Sequence, residues 1–485
     1  MKTQFDERNL SMVMDMYELT MSNGYFNQNS EETLVAFDVF YRKNPDNAGF
    51  SIFAGLEQTV EYIQNLHFAP DDVEYLRSRN LFTEDFLDYL LHFRFRGDMY
   101  GMPEGTIMYP NEPIITVVAP LVDAQLIETA LLLQVNHQSL IATKTNRIVR
   151  AAGGRPVSDF GARRAHNVDA AVYGARAAYI GGASGTATVL AGKMFGIPIS
   201  GTMAHSWVMS FENEYQAFRA YAESYPDSTV LLVDTYDVLK SGVPNAIRTA
   251  REVLAPLGKR LKGIRLDSGD LAYLSKEARK MLDEAGLEDC IIVASNSLDE
   301  YTILSLHQQE ALIDSYGVGE KLITSSTTPV FGAVYKLAAI KKGEDFLPKI
   351  KISETVEKIT NPGLKEIYRV YDREGKAVAD YLTIKGETID SSRPVRYVDP
   401  VKYWKDRNFV DCTFKPLQRQ IFKDGELVYQ LPSLEEIKEY VRHQLDHEIW
   451  EEEQRFENAH PHYLDMSPAM FELKMSLLHD ESQGG

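Results

Sequence analysis

A single histidine, His205, closes the run "GIPISGTMAHSWV" (residues 196–208), where apolar residues give way to small ones and then to hydroxyls. An imidazole in this setting can pack in a core, hold a metal ion, or act as a base or phosphoryl acceptor. A metal site wants further His, Cys or carboxylate groups at ligand spacing. The neighbouring histidines in sequence, His137 and His166, stand at no recognisable spacing from it. Two hydroxyls, Thr202 and Ser206, flank it, and Asp234 ends the next apolar run, "VLLVD". A carboxylate there can hold one ring nitrogen and leave the other nucleophilic, which suits a base or a phosphoryl acceptor.

"RLDSGD", residues 265–270, is the second constellation. Carboxylates this close suit ribose hydroxyls or a magnesium-bound phosphate, because hard oxygen acceptors match both. An Asx cap for a following helix accounts for Asp270 but leaves Asp267 without a reason. Arg265, inside a strand, calls for an anion such as a substrate carboxylate or phosphate. The glycine-rich turns "YIGGASGT" and "SYGVGEKL" allow backbone N–H groups to approach phosphate closely.

These groups sit in a repeated rhythm. Apolar or small runs end at "PVSDFG", "AAYIGGASGT", "IPISGTMAHS", "VLLVDTYD", "GIRLDSGD", "IIVASNS" and "SYGVGEKL", and amphipathic stretches such as "AYLSKEARKMLDEAG" lie between them. Seven strand-like runs alternating with helices predict a parallel sheet. Nearly every run ends in polar residues, which favours a seven-stranded α/β barrel of TIM-like kind over an open sheet, and no GxGxxG follows the first strand. The strand ends then share one mouth, collecting Asp159, Phe160, Arg163, Thr202, His205, Asp234, Arg265, Asp267, Asp270, Asn296, Gly317 and Gly319. The barrel is expected over residues 136–340. Residues 1–135 mix helical periodicity with strands such as "LVAFDVFYRK", and residues 341–485 start strand-like and end in an acidic helical run, "SLEEIKEYVRHQLDHEIWEEEQRFENA", expected to be a solvated helix face. The tail "HDESQGG" reads as disordered.

The 485 residues carry a formal net charge of −19, which argues against broad contact with nucleic acid. Small anionic substrates then require a local basic pocket. No apolar run is long enough to span a bilayer, and the start lacks the pattern of a signal peptide. Two cysteines, Cys290 and Cys412, give neither a disulfide framework nor a four-cysteine zinc site, so a reduced, cytoplasmic chain is expected.

Several stretches together resemble the nicotinate phosphoribosyltransferase family: "MDMYELTMSNGYF", "AFDVFYRKNP", "LIATKTNRI", the continuous run from Ser158 to Val208, "GIRLDSGDL" and "NPGLK". The resemblance covers nearly the whole chain. It implies an irregular seven-stranded α/β barrel with a second α+β domain built from the N-terminal region and post-barrel segments. It also implies the joining of nicotinate to 5-phosphoribosyl 1-diphosphate, coupled to ATP hydrolysis, with magnesium as cofactor. By this resemblance His205 is the histidine that ATP phosphorylates and Asp234 orients it. Phe160 and Tyr17 sandwich the pyridine ring, Tyr17 coming from the second subunit of a homodimer. Arg163, Thr202 and Arg265 lie around the nicotinate carboxylate and ribose phosphate, and Asp267 is a ribose-side acid. Asn296, Gly317, Gly319 and Thr324 hold the 5-phosphate and ribose, while Arg42, Lys358 and Lys365 stand near the diphosphate. A nicotinamide-using relative would favour an acid opposite the amide, where "GGASGTAT" offers only small residues. A quinolinate-using one would want more cations around the base. An aldolase would need a strand-end lysine, and an acidic scaffold would leave the polar strand ends without a task.

Overall fold

The computed structural model describes residues 8–404 and 406–483. It divides into two compact units, Ile141–Pro329 and the combination of Met1–Leu140 with Val330–Gly485.

The Ile141–Pro329 unit is a parallel α/β array. Its strands are Val157–Asp159, Gly185–Thr186, Val230–Leu232, Gly263–Leu266, Ile291–Ala294 and Ser315–Val318. All pair in parallel, and each ladder joins neighbours in sequence except one, in which the last strand pairs with the first, Tyr316 opposite Val157 and Val318 opposite Asp159. Pairing of first with last strand is how a barrel differs from an open sheet. The seventh expected strand shrinks to one bridge between Ile199 and Thr186. Its backbone comes so close that a Cβ on Gly185 would lie 2.5 Å from the Pro198 carbonyl oxygen. Among the described residues no ladder joins this segment to Val230–Leu232. The hydrogen bonding therefore makes a half-barrel with one open seam, where sequence rhythm led to expect a closed ring.

Local chemistry explains why the elements start where they do. Ile264, Leu266, Ala294 and Val318 are fully buried, as strands covered on both faces require. Asp270 caps helix Leu271–Glu284 by accepting from Tyr273 N at 3.0 Å. Asp299 does the same for Glu300–Gln308 through Thr302 N at 2.8 Å. Asp270 is thus the Asx cap that its position after "RLDSG" suggested.

The other unit holds a seven-stranded antiparallel sheet and a six-stranded mixed one. The first runs in the order Asp345–Pro348, Val334–Lys342, Leu34–Phe40, Ile115–Pro120, Asp98–Gly101, Arg419–Lys423, Glu426–Leu427. Its core gathers Val35, Val39, Phe53, Phe86, Met99, Val117 and Ile421, all essentially without exposure.

Two expectations at the C-terminal end need correction. The acidic run is helical only over Leu434–His443 and the turn Gln444–Glu448, and it is not all solvated. Glu453 is buried, accepting from Tyr109 Oη at 2.6 Å and facing His462 Nδ1 at 3.1 Å, so an acid that read as surface closes a buried polar cluster. The stretch beginning at His479, expected to be disordered, continues helix Pro468–Gln483; only Gly484 and Gly485 lie outside the described residues. Among the described residues no helix is long and apolar enough to cross a membrane.

Candidate active site

The C-terminal ends of the parallel strands bring most of the predicted groups together. Asp234, two residues past Val230–Leu232, is buried, and its Oδ1 lies 3.2 Å from His205 Nε2. Its other oxygen accepts from Ser268 Oγ at 2.6 Å, which fixes the carboxylate plane. His205 itself opens the short helix His205–Met209 and is 40% exposed, so the imidazole is anchored on one side and open on the other. With Nε2 turned to Asp234, Nδ1 is the ring nitrogen left for chemistry.

Arg265 organises the next layer. Its Nε donates to Ser295 Oγ at 2.8 Å, Nη1 to Thr202 Oγ1 at 3.0 Å and Nη2 to Asp267 Oδ1 at 2.8 Å. Ser295 in turn donates to Asp267. Three of the five guanidinium N–H groups are thereby used to hold the side chain, and the remainder can face an anion. The guanidinium lies over the Phe160 ring, 5.4 Å from its centroid. Phe160 occupies this place because Gly317 has no side chain: a Cβ there would sit 2.4 Å from two ring carbons. Asp159, the residue before Phe160, accepts from Gly161 N at 2.8 Å and from Thr186 Oγ1 at 2.7 Å, fixing the turn after the first strand. Burial pushes the Asp159 carboxyl above the usual carboxylate range.

A cleft of about 210 Å³ runs past these groups, lined by Phe160, Arg163, Arg265, Asp267, Asn296, Gly317 and Gly319 together with Arg164 and Lys321. Its lining sets four cations, Arg163, Arg164, Arg265 and Lys321, against Asp267 and Glu320, a local excess of positive charge on a chain of net charge −19. At its edge Asn296 and Ser297 both take left-handed backbone conformations, φ 89° and 50°, a strained turn of the kind that collects at functional sites. Thr324 is the exception among the predicted phosphate residues. It ends helix Glu320–Ile323 and spends its hydroxyl on the Glu320 carbonyl at 2.7 Å.

His205, Asp234 and Asp267 each place a ligand atom within 4.8 Å of the others. Sequence spacing spoke against a metal at His205, because residues from three different strand ends have no common spacing. The two carboxylates are the hard oxygen donors that magnesium takes, alongside substrate phosphates, so the residues fit that ion.

Tyr17, Arg42, Lys358 and Lys365 belong to the other unit. Tyr17 lies on helix Met16–Asn27 and is 43% exposed. Lys358 is exposed at the end of the turn Val356–Lys358. Lys365 is buried and ion-paired with Asp38, so its charge is already met within the unit. Arg42 is half-buried, and its Nε has no partner among the described residues.

Sequence reading passed over Ser268 and Ser295. Both stand one residue from a singled-out group, inside "LDSG" and "ASNS", and their only signal is a hydroxyl at a strand end.

Known proteins resemble this chain along its full length. The nicotinate phosphoribosyltransferase (NAPRTase) N-terminal domain matches residues 12–136, the nicotinate phosphoribosyltransferase (NAPRTase) family residues 156–373, and the nicotinate phosphoribosyltransferase C-terminal domain residues 364–474. The nicotinate phosphoribosyltransferase of Bacillus subtilis is 45% identical over 479 residues, 98% of this chain and 96% of that protein. The crystal structure of human nicotinic acid phosphoribosyltransferase superposes with a TM-score of 0.85 at 27% identity, covering 96% of this chain and 100% of that one. Nicotinate-nucleotide pyrophosphorylase from Pyrococcus furiosus follows at a TM-score of 0.68 and 25% identity, over 92% of this chain and 97% of that one.

Proposed function

The chain belongs to the nicotinate phosphoribosyltransferase family and carries that activity, and from this premise we propose how its residues divide the work. Nicotinate attacks C1 of 5-phosphoribosyl 1-diphosphate through its ring nitrogen; the C1–O bond breaks, the C1–N bond forms, and diphosphate leaves. Phe160 supplies one stacking face for the pyridine, and Arg265, held by Thr202, Ser295 and Asp267, turns its free N–H groups to the nicotinate carboxylate. Arg163, Asn296, Gly317 and Gly319 border the same cleft and receive the 5-phosphate and ribose, with Asp267 on the ribose side. Thr324 closes that group through its backbone.

ATP enters through His205. The phosphoryl group passes from ATP to Nδ1, the nitrogen that Asp234 leaves free, giving ADP and a phosphohistidine that is later hydrolysed. Asp234 stabilises the imidazolium character that develops as the N–P bond forms. The added charge beside the diphosphate site changes substrate affinity, so ATP energy draws the reaction toward the mononucleotide. Asp234 and Asp267 would hold magnesium, which when bound neutralises phosphate charge.

The working form is a homodimer in which Tyr17 of one subunit completes the aromatic sandwich in the other, and Arg42 and Lys358 add charge near the diphosphate. The strand order, with first and last strands paired, supports a TIM-like barrel whose open seam lies beside His205. Two free thiols, Cys290 and Cys412, suit the cytoplasm.

The observation that carries this reading is the buried Asp234 holding one nitrogen of a half-exposed histidine. Incubation with nicotinate, magnesium and phosphoribosyl diphosphate, with and without ATP, tests it. Mononucleotide should form in both cases and more completely with ATP. In His205→Ala, ATP stimulation and acid-labile phosphorylation should vanish while ATP-independent turnover persists; equal labelling of the variant would refute the assignment.

A further inference from the structure

The C-terminal helix Pro468–Gln483 seats on the turn that carries "NPGLK". Lys474 Nζ donates to Asn361 Oδ1 at 2.8 Å, and Leu473 Cδ2 lies 3.4 Å from where a Cβ on Gly363 would stand. Asn361 and Asn111 line two hollows at once. One is a cavity of about 690 Å³ that Arg42 and Lys474 also line; the other holds Lys365.

Two of the cations here lack close carboxylate partners among the described residues. Lys365 is neutralised by Asp38, but among the described residues no carboxylate pairs with Lys474, whose partner Asn361 is neutral. Arg42 presents a buried Nε with no partner among the described residues. Burial and the nearby Lys365 push the Lys474 ammonium down to about 8. Two cations brought to one cavity without carboxylate partners cost stability unless an anion joins them. Lys402 and the acids Glu357, Asp399 and Asp465 line the same cavity, and none of these acids makes an ion pair with Arg42 or Lys474 among the described residues.

We infer that Lys474, supplied by the C-terminal helix, is a further cationic contact for a diphosphate group in this cavity, acting beside Arg42. The inference rests on the reading of Arg42 as a diphosphate-binding residue. It gives the C-terminal helix, which no sequence motif assigned, a place in substrate binding.

Three variants of the full chain test it: Lys474→Gln, which keeps a donor for Asn361 but loses the charge; Lys474→Arg, which keeps the charge; and Arg42→Ala. Inorganic diphosphate is the probe, as an inhibitor competing with phosphoribosyl diphosphate in the absence of ATP. Lys474→Gln should weaken diphosphate inhibition about tenfold, the usual loss for one charged hydrogen bond, with kcat little changed. Lys474→Arg should restore it. A matching rise in KM for phosphoribosyl diphosphate supports the assignment, and a rise confined to the KM for ATP overturns it. If Arg42→Ala weakens inhibition and Lys474→Gln does not, Lys474 only ties the helix to the turn and the inference is overturned. If neither variant changes it, the reading of Arg42 falls first, and this inference with it.

Discussion

Asp234 holds Nε2 of His205 at 3.2 Å while its second oxygen is fixed by Ser268 at 2.6 Å. The pair is asymmetric in burial: the carboxylate has 1% of its surface exposed and the imidazole 40%. A buried acid that makes one side of a half-exposed ring its partner selects the tautomer and leaves the opposite nitrogen reactive. Asp234→Asn keeps the shape and removes the charge. Phosphorylation of His205 by ATP should then slow by about 10²-fold, the lower range for removing an acid–base partner, while turnover without ATP falls less, through the weakened magnesium site alone. Rapid-quench labelling with ATP, set against steady-state turnover, checks both halves. Ser268→Ala should act in the same direction by about tenfold or more, since one hydrogen bond to a carboxylate is lost.

The Phe160 ring and Gly317 make a second, steric pair. A Cβ on residue 317 would approach two ring carbons at 2.4 Å, so Gly317→Ala must displace the ring. Its KM for nicotinate should rise about fivefold, as for Phe160→Leu, because both lose the stacking face, worth about 1 kcal/mol. The double variant should be little worse than either single one, as contacting residues are not additive. Nicotinate titrations at saturating phosphoribosyl diphosphate measure this.

What the sequence conveyed and what it withheld follow from the range of each interaction. Periodicity is local, so the strand-end rhythm put Asp159 and Arg265 on parallel strands of one sheet and Phe160, Asp267 and Asn296 just past the C-terminal ends of such strands. It overstated the seventh strand, since "IPIS" has a strand's composition while its partner across the seam is decided by tertiary packing. Ser295 and Ser268 were illegible because a serine's role depends on which acids and arginines fold beside it. Glu453 misled for the same reason: inside an acidic run it looks solvated, yet Tyr109, 344 residues away, and His462, beyond the end of the run, bury it. The task expected of His205 comes from resemblance, and the geometry adds only which nitrogen faces Asp234.

Ser295 joins Arg265 to Asp267, accepting from one and donating to the other. Ser295→Ala leaves a guanidinium N–H and a carboxylate each short of a partner, in a cleft where Arg265 is only 14% exposed. A loss of about 1.5–3 kcal/mol, or roughly 10- to 100-fold in kcat/KM, is expected for hydrogen bonds to charged groups. Arg265→Lys should cost as much, because a single ammonium cannot reach Ser295, Thr202 and Asp267 together. A double-mutant cycle on kcat/KM for nicotinate should show strong coupling; simple additivity would mean that the serine does not position the arginine.

Glu18, next to Tyr17 on helix Met16–Asn27, gives the chain a pH-dependent stability. Its carboxyl accepts from the backbone N–H groups of Asp15 and Thr129, each at 3.2 Å, and is buried; burial pushes it from an ordinary 4.5 to about 7. The folded state therefore binds this proton more tightly than the unfolded chain does. Between about 4.5 and about 7 the folded form holds more protons, so the stability that the protonated group allows is lost as pH rises through that window and is flat above it. The loss is on the order of 3 kcal/mol for a shift of this size. Glu18→Gln cannot ionise, so the difference in stability between variant and wild type should swing in the variant's favour from pH 5 to pH 8. Urea denaturation at a series of pH values measures that difference directly, and other titrating groups cancel between the two proteins. A constant difference across the window would show that Glu18 ionises in the folded protein as it does in the unfolded one. Because the same helix carries Tyr17, the variant should also keep its nicotinate KM constant to higher pH than wild type.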